Sequence, residues 1–105
     1  MASLKGLTRE AVDATLDEFD AIGRRAFLER YHFGEAKGLY LVRDGKRYDS
    51  KAIVGAAMAR VPGRRALEYS DFTGGVASVV RVLESLGYEV VDERPTRNPP
   101  WPQKR

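Results

Sequence analysis

The chain has 105 residues, of which 43% are hydrophobic and 31% charged, and its net charge is +3. This length fits one domain with one core, and no apolar run approaches the ~20 residues that a membrane-spanning helix needs. Cysteine is absent, which excludes disulfides, thiolate metal sites and a cysteine nucleophile. The first residues lack the apolar stretch of a signal peptide, and we therefore expect a cytoplasmic protein.

The positive charge is concentrated in the middle of the chain. Residues 24–65 contain eleven lysines and arginines against four acidic residues, which gives a net charge of +7. The flanking segments 1–23 and 66–92 have net charges of −3 and −4. Such segregation can attract an anionic partner although the total charge is small.

Two helices are predicted in the first third of the chain. Thr8 is a suitable N-cap for the first helix. Apolar residues recur from Val12 to Ile22 at spacings of four, three and three residues, which is one helical face, and Gly23 then ends the helix. Acidic residues occupy its other faces, and we interpret them as a solvated surface. A shorter helix follows over residues 24–31.

The stretch 39–52 predicts a β-hairpin that leads into a helix. Residues 39–43 alternate as in a half-buried strand. Asp44-Gly45 suits a two-residue type I′ turn, because both central positions of that turn need a positive φ. After the return strand, Asp49 or Ser50 can cap the next helix with its side chain.

The helix over residues 50–61 is rich in alanine and glycine, which makes it slim. Small residues let neighbouring elements approach closely, so we predict the most buried helix of the fold, with a ligand groove as the alternative. Asp71 or Thr73 can cap a fourth helix over residues 76–86, and residues 88–91 form a last strand. The order α-α-β-β-α-α-β predicts an α+β fold in which a three-stranded, mainly antiparallel sheet packs with four helices.

The composition changes at residue 93. Residues 93–105 contain four prolines and four cations, which cannot build a core. We therefore expect one domain over residues 1–92, followed by a flexible, basic, proline-rich tail or linker. Trp101 could stack on a base or dock on the domain, or it could be an incidental residue of the tail.

No group of residues predicts catalysis. The single histidine, His32, lies in a linker without a neighbouring His or Cys to share a metal. A phosphate-binding GxxxxGK[ST] loop is absent. Asp49-Ser50-Lys51 resembles the acid-x-Lys half of a metal-dependent nuclease, but the nearest upstream acid, Asp44, lies in the turn. We therefore expect a non-enzymatic protein without a metal or cofactor.

Phosphate binding is better supported by the residues. Cations flank the hairpin, and interleaved aromatic residues could stack on bases. The alternative is that Tyr40 and Tyr48 belong to the core and that the cations only solubilise the protein. The predicted DNA-binding residues are Arg43, Lys46, Arg47, Tyr48, Ser50, Lys51, Arg64 and Arg65.

Some of these positions have a structural interpretation as well. Backbone N–H groups at the Asp49-Ser50 helix start could add to phosphate binding. Lys51 could instead pair with Asp49 or Asp71 and fix the helix. We expect Asp49 and Gly74-Gly75 to be architectural.

The chain also contains a series of longer motifs. They are Glu18-Phe19-Asp20, Gly23-Arg24, Ala26-Phe27-Leu28, Tyr31-His32-Phe33-Gly34, Asp44 to Ile53, Asp71-Phe72-Thr73-Gly74-Gly75, and Leu83 to Val90. This series resembles the N-terminal head domain of McrA-like, HNH-containing, modification-dependent restriction endonucleases, over residues 7–92. The resemblance implies a prokaryotic DNA-defence module in which base recognition and cleavage belong to other domains, and it implies no catalytic residue in the head. A single histidine excludes an HNH motif in this chain.

We therefore expect a non-catalytic accessory domain that binds DNA through its phosphates. Self-association or downstream nuclease domains are further possible partners, and no membrane contact is expected. The alternative is a protein-interaction or dimerisation head without DNA contact, in which the acidic first helix meets the basic middle of a second copy. A reader of modified bases would need an aromatic pocket, which Tyr31, Phe33 or Tyr48 could line.

Overall fold

The computed structural model describes residues 4–36, 38–72 and 76–93. The expectations for Thr73, for Gly74-Gly75 and for the tail beyond Glu93, including Trp101, lie outside these residues. No helix in the described part of the chain is long and apolar enough to cross a membrane. The helices are α1 (Arg9–Ile22), α2 (Arg24–Tyr31), α3 (Ser50–Ala57) and α4 (Val76–Ser85), the strands are β1 (Leu39–Arg43), β2 (Lys46–Asp49) and β3 (Glu89–Asp92), and short 3₁₀ turns cover Met58–Arg60 and Tyr69–Phe72.

The three strands form one antiparallel sheet in the order β2-β1-β3. A two-residue turn joins β1 to β2 and pairs Arg43 with Lys46. Asp44 and Gly45 in this turn have φ values of 53° and 78°, as a type I′ turn requires. The structure thus confirms the α+β class, the predicted element order and the antiparallel sheet.

The helix α1 begins and ends as its sequence predicts. The Thr8 hydroxyl accepts a hydrogen bond from the Ala11 amide at 3.1 Å. Gly23 ends the helix with a φ of 90° and starts α2. Between these residues the helix buries an apolar stripe, which includes Val12, Leu16 and Phe19.

The helix α3 is the centre of the core. Seven of its eight residues are buried, and it packs against the other three helices and both strands of the hairpin. The prediction that this helix continues to Val61 is wrong, because the α-helix ends at Ala57 and a 3₁₀ turn follows. Val61 precedes Pro62 and is extended, with a φ of −88° and a ψ of 128°. The proline ring disfavours a helical conformation in the residue before it.

Candidate nucleic-acid interface

The cations of the hairpin lie against an acidic flank of α1. The Arg43 guanidinium is 3.2 Å from an Asp17 oxygen and 3.1 Å from an Asp20 oxygen. It also lies 3.9 Å from Asp13, and the Lys46 Nζ is 2.5 Å from Asp20. Arg9 also lies 4.0 Å from Asp13. Three cations therefore face three carboxylates, and their charges balance. Asp13, Asp17 and Asp20 belong to the acidic surface that we interpreted as solvated. They pair with the hairpin and are still 44%, 74% and 38% exposed.

Hydrogen bonds hold the Asp20 carboxylate in its charged form. The bond from Lys46 has the largest effect on the Asp20 pKa, and the Tyr48 hydroxyl adds a second bond. Partial burial acts in the opposite direction, but the net result is a pKa below the ordinary value. The hairpin and α1 therefore meet through an ionised carboxylate at neutral pH.

Tyr48 is the aromatic residue beneath these cations. Its side chain is buried and packs edge to face on Phe19, with 5.1 Å between the ring centroids. Its hydroxyl donates to Asp20, with the oxygens 3.0 Å apart. The Arg43 guanidinium and the Lys46 Nζ lie 5.7 and 5.2 Å from the centroid of the Tyr48 ring. Tyr48 thus supports the cations from within the core.

The other predicted contact residues near the hairpin occupy different environments. Arg47 pairs with Glu93, and its Nε donates across 3.1 Å. Ser50 is buried, and its hydroxyl donates to the Leu39 carbonyl at 2.9 Å. Lys51 is half-buried in the first turn of α3. The side chain of Ser50 therefore joins α3 to β1 and does not reach the surface.

A buried carboxylate links the hairpin to α2. The side chain of Asp49 is 4% exposed, and its two oxygens accept from the Nε and Nη2 of Arg24, each at 2.8 Å. One of these oxygens also accepts from the Ala36 amide at 2.8 Å. Asp49 occupies the N-cap position of α3 but makes no side-chain capping bond. The sequence predicted a capping bond from Asp49 or Ser50. For Asp49 this is wrong, because Arg24 binds its carboxylate.

A second group of arginines lies on the other flank of α1. Arg60 donates from Nε to the Thr15 hydroxyl and from Nη2 to Glu18, both at 3.2 Å. Arg30 donates to the second Glu18 oxygen at 2.7 Å, and the Tyr31 hydroxyl lies 2.9 and 2.8 Å from the two oxygens. Here two cations share one carboxylate, which leaves a local net charge of +1. The predicted contact residues did not include Arg30 or Arg60, because no local pattern in the sequence shows that both pack against Glu18 of α1.

The Glu18 carboxylate remains charged although it is only 13% exposed. Burial is the largest influence and raises the Glu18 pKa. The hydrogen bonds from Tyr31, Arg30 and Arg60 together outweigh burial, and the pKa of Glu18 is lower than its ordinary value. The two arginines are thus held in place by a fixed negative charge.

Arg64 and Arg65 lie in the turn after α3. Residues 58–67 contain three arginines and no acidic residue. Arg64 donates to the Lys5 carbonyl at 3.0 Å, which ties the turn to the chain ahead of α1. The side chain of Arg65 is 73% exposed, and its Nη1 lies 3.6 Å from Asp71.

Within residues 4–36, 38–72 and 76–93, no three His, Asp or Glu side chains are placed to hold a metal ion. His32 is exposed and occupies the left-handed position that ends α2, with a φ of 63°.

The described residues form a small α+β domain with four helices, a three-stranded antiparallel sheet and cations on both flanks of α1. The family model described as the ScoMcrA-like N-terminal head domain matches residues 5–92. The chain belongs to this family, which confirms the family that the sequence motifs predicted. The match also places the chain in the context of DNA restriction.

Comparison with solved structures gives a similar result. The chain is 26% identical to part of the type IV phosphorothioation-dependent restriction endonuclease ScoMcrA, with a TM-score of 0.62. This similarity covers 89% of the present chain and 14% of that nuclease chain. The search of curated proteins found no match.

Proposed function

We propose that this domain is a non-catalytic accessory module of a prokaryotic restriction system and that it binds DNA through the backbone phosphates. Membership of a nuclease head-domain family supports this context. The observation that carries DNA binding is the segment 58–67, which has three arginines and no acidic residue. Guanidinium groups match the geometry of phosphates, and counterion release on contact favours binding. The proposal places the domain in the cytoplasm, together with the DNA.

The predicted contact residues enter this proposal in different roles. Arg64 and Arg65 belong to the segment without acids and would contact phosphates directly. The hairpin cations form partly exposed, weak ion pairs, for which DNA would have to compete. Lys51 remains a proposed contact at the start of α3, whereas Tyr48 and Ser50 would support the surface from the core.

A protein-interaction head is the second candidate function. The ion pairs between α1 and the hairpin favour it, because they neutralise charge that would otherwise attract DNA. The same ion pairs argue against one form of this candidate. The acidic flank of α1 already meets the basic hairpin within one copy, so these two surfaces have less charge to offer a second copy.

Fluorescence anisotropy with a short labelled duplex tests the proposed DNA binding. We expect binding that weakens between about 50 and 200 mM salt, because each neutralised phosphate contributes about −0.9 to the log–log slope. Unmodified and phosphorothioated duplexes should bind with similar affinity, since the cations read charge. Light scattering at the same concentrations reports the mass. A dimer that leaves the duplex unbound at low salt would contradict DNA binding and support the second candidate.

A further inference from the structure

The helix α1 separates the cations of the domain into two groups. Asp13, Asp17 and Asp20 follow each other at spacings of four and three residues and therefore share one flank of the helix. Thr15 and Glu18 lie on another flank, roughly 160° away at about 100° per residue. The first flank contacts the hairpin, and the second contacts Arg30 and Arg60.

The two groups differ in net charge. The hairpin cluster consists of three cations, Arg43, Lys46 and Arg47, which face four carboxylates, and Arg9 pairs with one of these, Asp13. With Arg9 included, its net charge is zero. In the arginine row, Arg30, Arg60 and Arg65 pair with the carboxylates of Glu18 and Asp71, which leaves a net charge of +1. The members of the arginine row are Arg30, Arg60, Arg64 and Arg65.

The side chains of the arginine row are accessible to solvent. Arg30, Arg60 and Arg65 are 55%, 42% and 73% exposed. In the hairpin cluster Lys46 and Arg47 are 52% and 54% exposed, and Arg43 is 23% exposed. Glu18 and Thr15 use one donor of Arg30 and two of Arg60. Each guanidinium carries five N–H donors. Arg30 and Arg60 therefore retain N–H donors for a phosphate, and their contacts with Glu18 and Thr15 already fix their positions.

The spacing of the arginine row suits a nucleic-acid backbone. Arg60 binds to Thr15 in the middle of α1. Arg64 binds to the carbonyl of Lys5, which lies in the chain ahead of α1. The seven residues from Thr8 to Thr15 alone span about 10 Å at 1.5 Å per residue. One strand of duplex DNA carries a phosphate every ~3.4 Å along the axis. The row is therefore long enough to face more than one phosphate of a strand.

We propose that DNA phosphates bind to the arginine row and not to the hairpin cluster. The inference rests on the proposed DNA binding and names the surface that performs it. A duplex that approaches the hairpin cluster meets cations that carboxylates already neutralise within a Debye length, about 10 Å at 0.1 M salt. A duplex that approaches the arginine row meets a net positive charge and prepositioned donors.

Two variants with the same change in net charge test this proposal. R30Q/R65Q removes two cations from the arginine row, and K46Q/R47Q removes two from the hairpin cluster. We expect R30Q/R65Q to reduce the salt slope of duplex binding by about 2, since each lost phosphate contact accounts for about 1. K46Q/R47Q should retain the slope of the unchanged protein.

The possible failures of this experiment are distinguishable. If the unchanged protein does not bind the duplex, the proposed function fails. If it binds, but K46Q/R47Q lowers the salt slope as much as R30Q/R65Q or more, phosphate binding by the arginine row is contradicted. DNA binding by the domain then still stands. Thermal denaturation checks that both variants fold. Should R30Q/R65Q fail to fold, R64Q/R65Q makes the same comparison without disturbing Glu18.

Discussion

Asp49 and Glu18 show how single carboxylates position the arginines of this domain. Their side chains are 4% and 13% exposed, and each is bound by one or two guanidinium groups. A buried charge is costly unless ion pairing and hydrogen bonds compensate it. Arg24, Arg30 and Arg60 are therefore part of the fold as well as of its surface.

Loss of Arg24 should destabilise the domain. In R24Q the buried Asp49 carboxylate loses two charge-assisted bonds and keeps the Ala36 amide. We expect the free energy of unfolding to fall by about 1–3 kcal/mol, as measured by urea denaturation. The matched control is R25Q, because Arg25 is 93% exposed and lies 3.7 Å from Glu29. The control should change the free energy by no more than about 0.5 kcal/mol. Equal losses in both variants would contradict the role of Asp49.

The sequence predicted where the cations lie along the chain but not what they contact. Arg43 and Arg24 find their carboxylates 23 to 26 residues away in the sequence. Such pairs depend on how α1, α2 and the hairpin pack, and no local spacing encodes that packing. Tyr48 was open to both interpretations, because its place in the strand fits the core as well as a binding surface. Its burial supports the core interpretation.

At the scale of elements, α3 is slim at Gly55 because the segments that contain Phe33 and Leu67 pack against it there. A Cβ at this position would lie 2.8 Å from the Leu67 carbonyl oxygen and 2.8 Å from the Phe33 ring. The Leu67 amide also donates to the Gly55 carbonyl at 2.9 Å. The segment after α3 thus packs directly on the helix backbone, as the prediction of a closely packed helix requires.

Substitution of Gly55 tests this close packing. G55A raises helix propensity by about 1 kcal/mol, but we expect a net loss of about 1–3 kcal/mol because the methyl group overpacks the core. Thermal denaturation measures the effect, at about 4–8 °C per kcal/mol for a domain of nearly this size. In the control G34A, the new Cβ meets nothing within 4 Å, so its melting temperature should stay the same or rise slightly. A G55A melting temperature at or above that of the control would be incompatible with the packing described.

Most of the elements could be predicted because their signals are local. Thr8 and Gly23 mark the ends of α1, and Asp44-Gly45 fixes the hairpin turn. The end of α3 was predicted too late, although Pro62 was visible in the sequence. The alanine-rich pattern continues through Ala59. We therefore extended the predicted helix to Val61, although the following proline disfavours a helical conformation there.

At the scale of the whole molecule, the positive middle of the chain does not form one basic patch. Residues 24–65 have a net charge of +7, and their cations lie on two sides of α1. The segment that contains α1, residues 1–23, has a net charge of −3. One flank of α1 neutralises the hairpin, and the other leaves the arginine row with a net positive charge. Charge counting along the sequence detects the segregation but not its division, because the division depends on which helix packs beside the hairpin.

An amide chemical-shift titration of the isotope-labelled protein with a short duplex tests the central claim most directly, because it reports both binding and its location. At low salt we expect the largest shifts in residues 58–67 and around Arg30, and these shifts should diminish as salt is added. The amides of residues 43–47 should change little. Shifts confined to the hairpin would contradict the arginine row, and a spectrum unchanged by the duplex at low salt would contradict DNA binding by this domain.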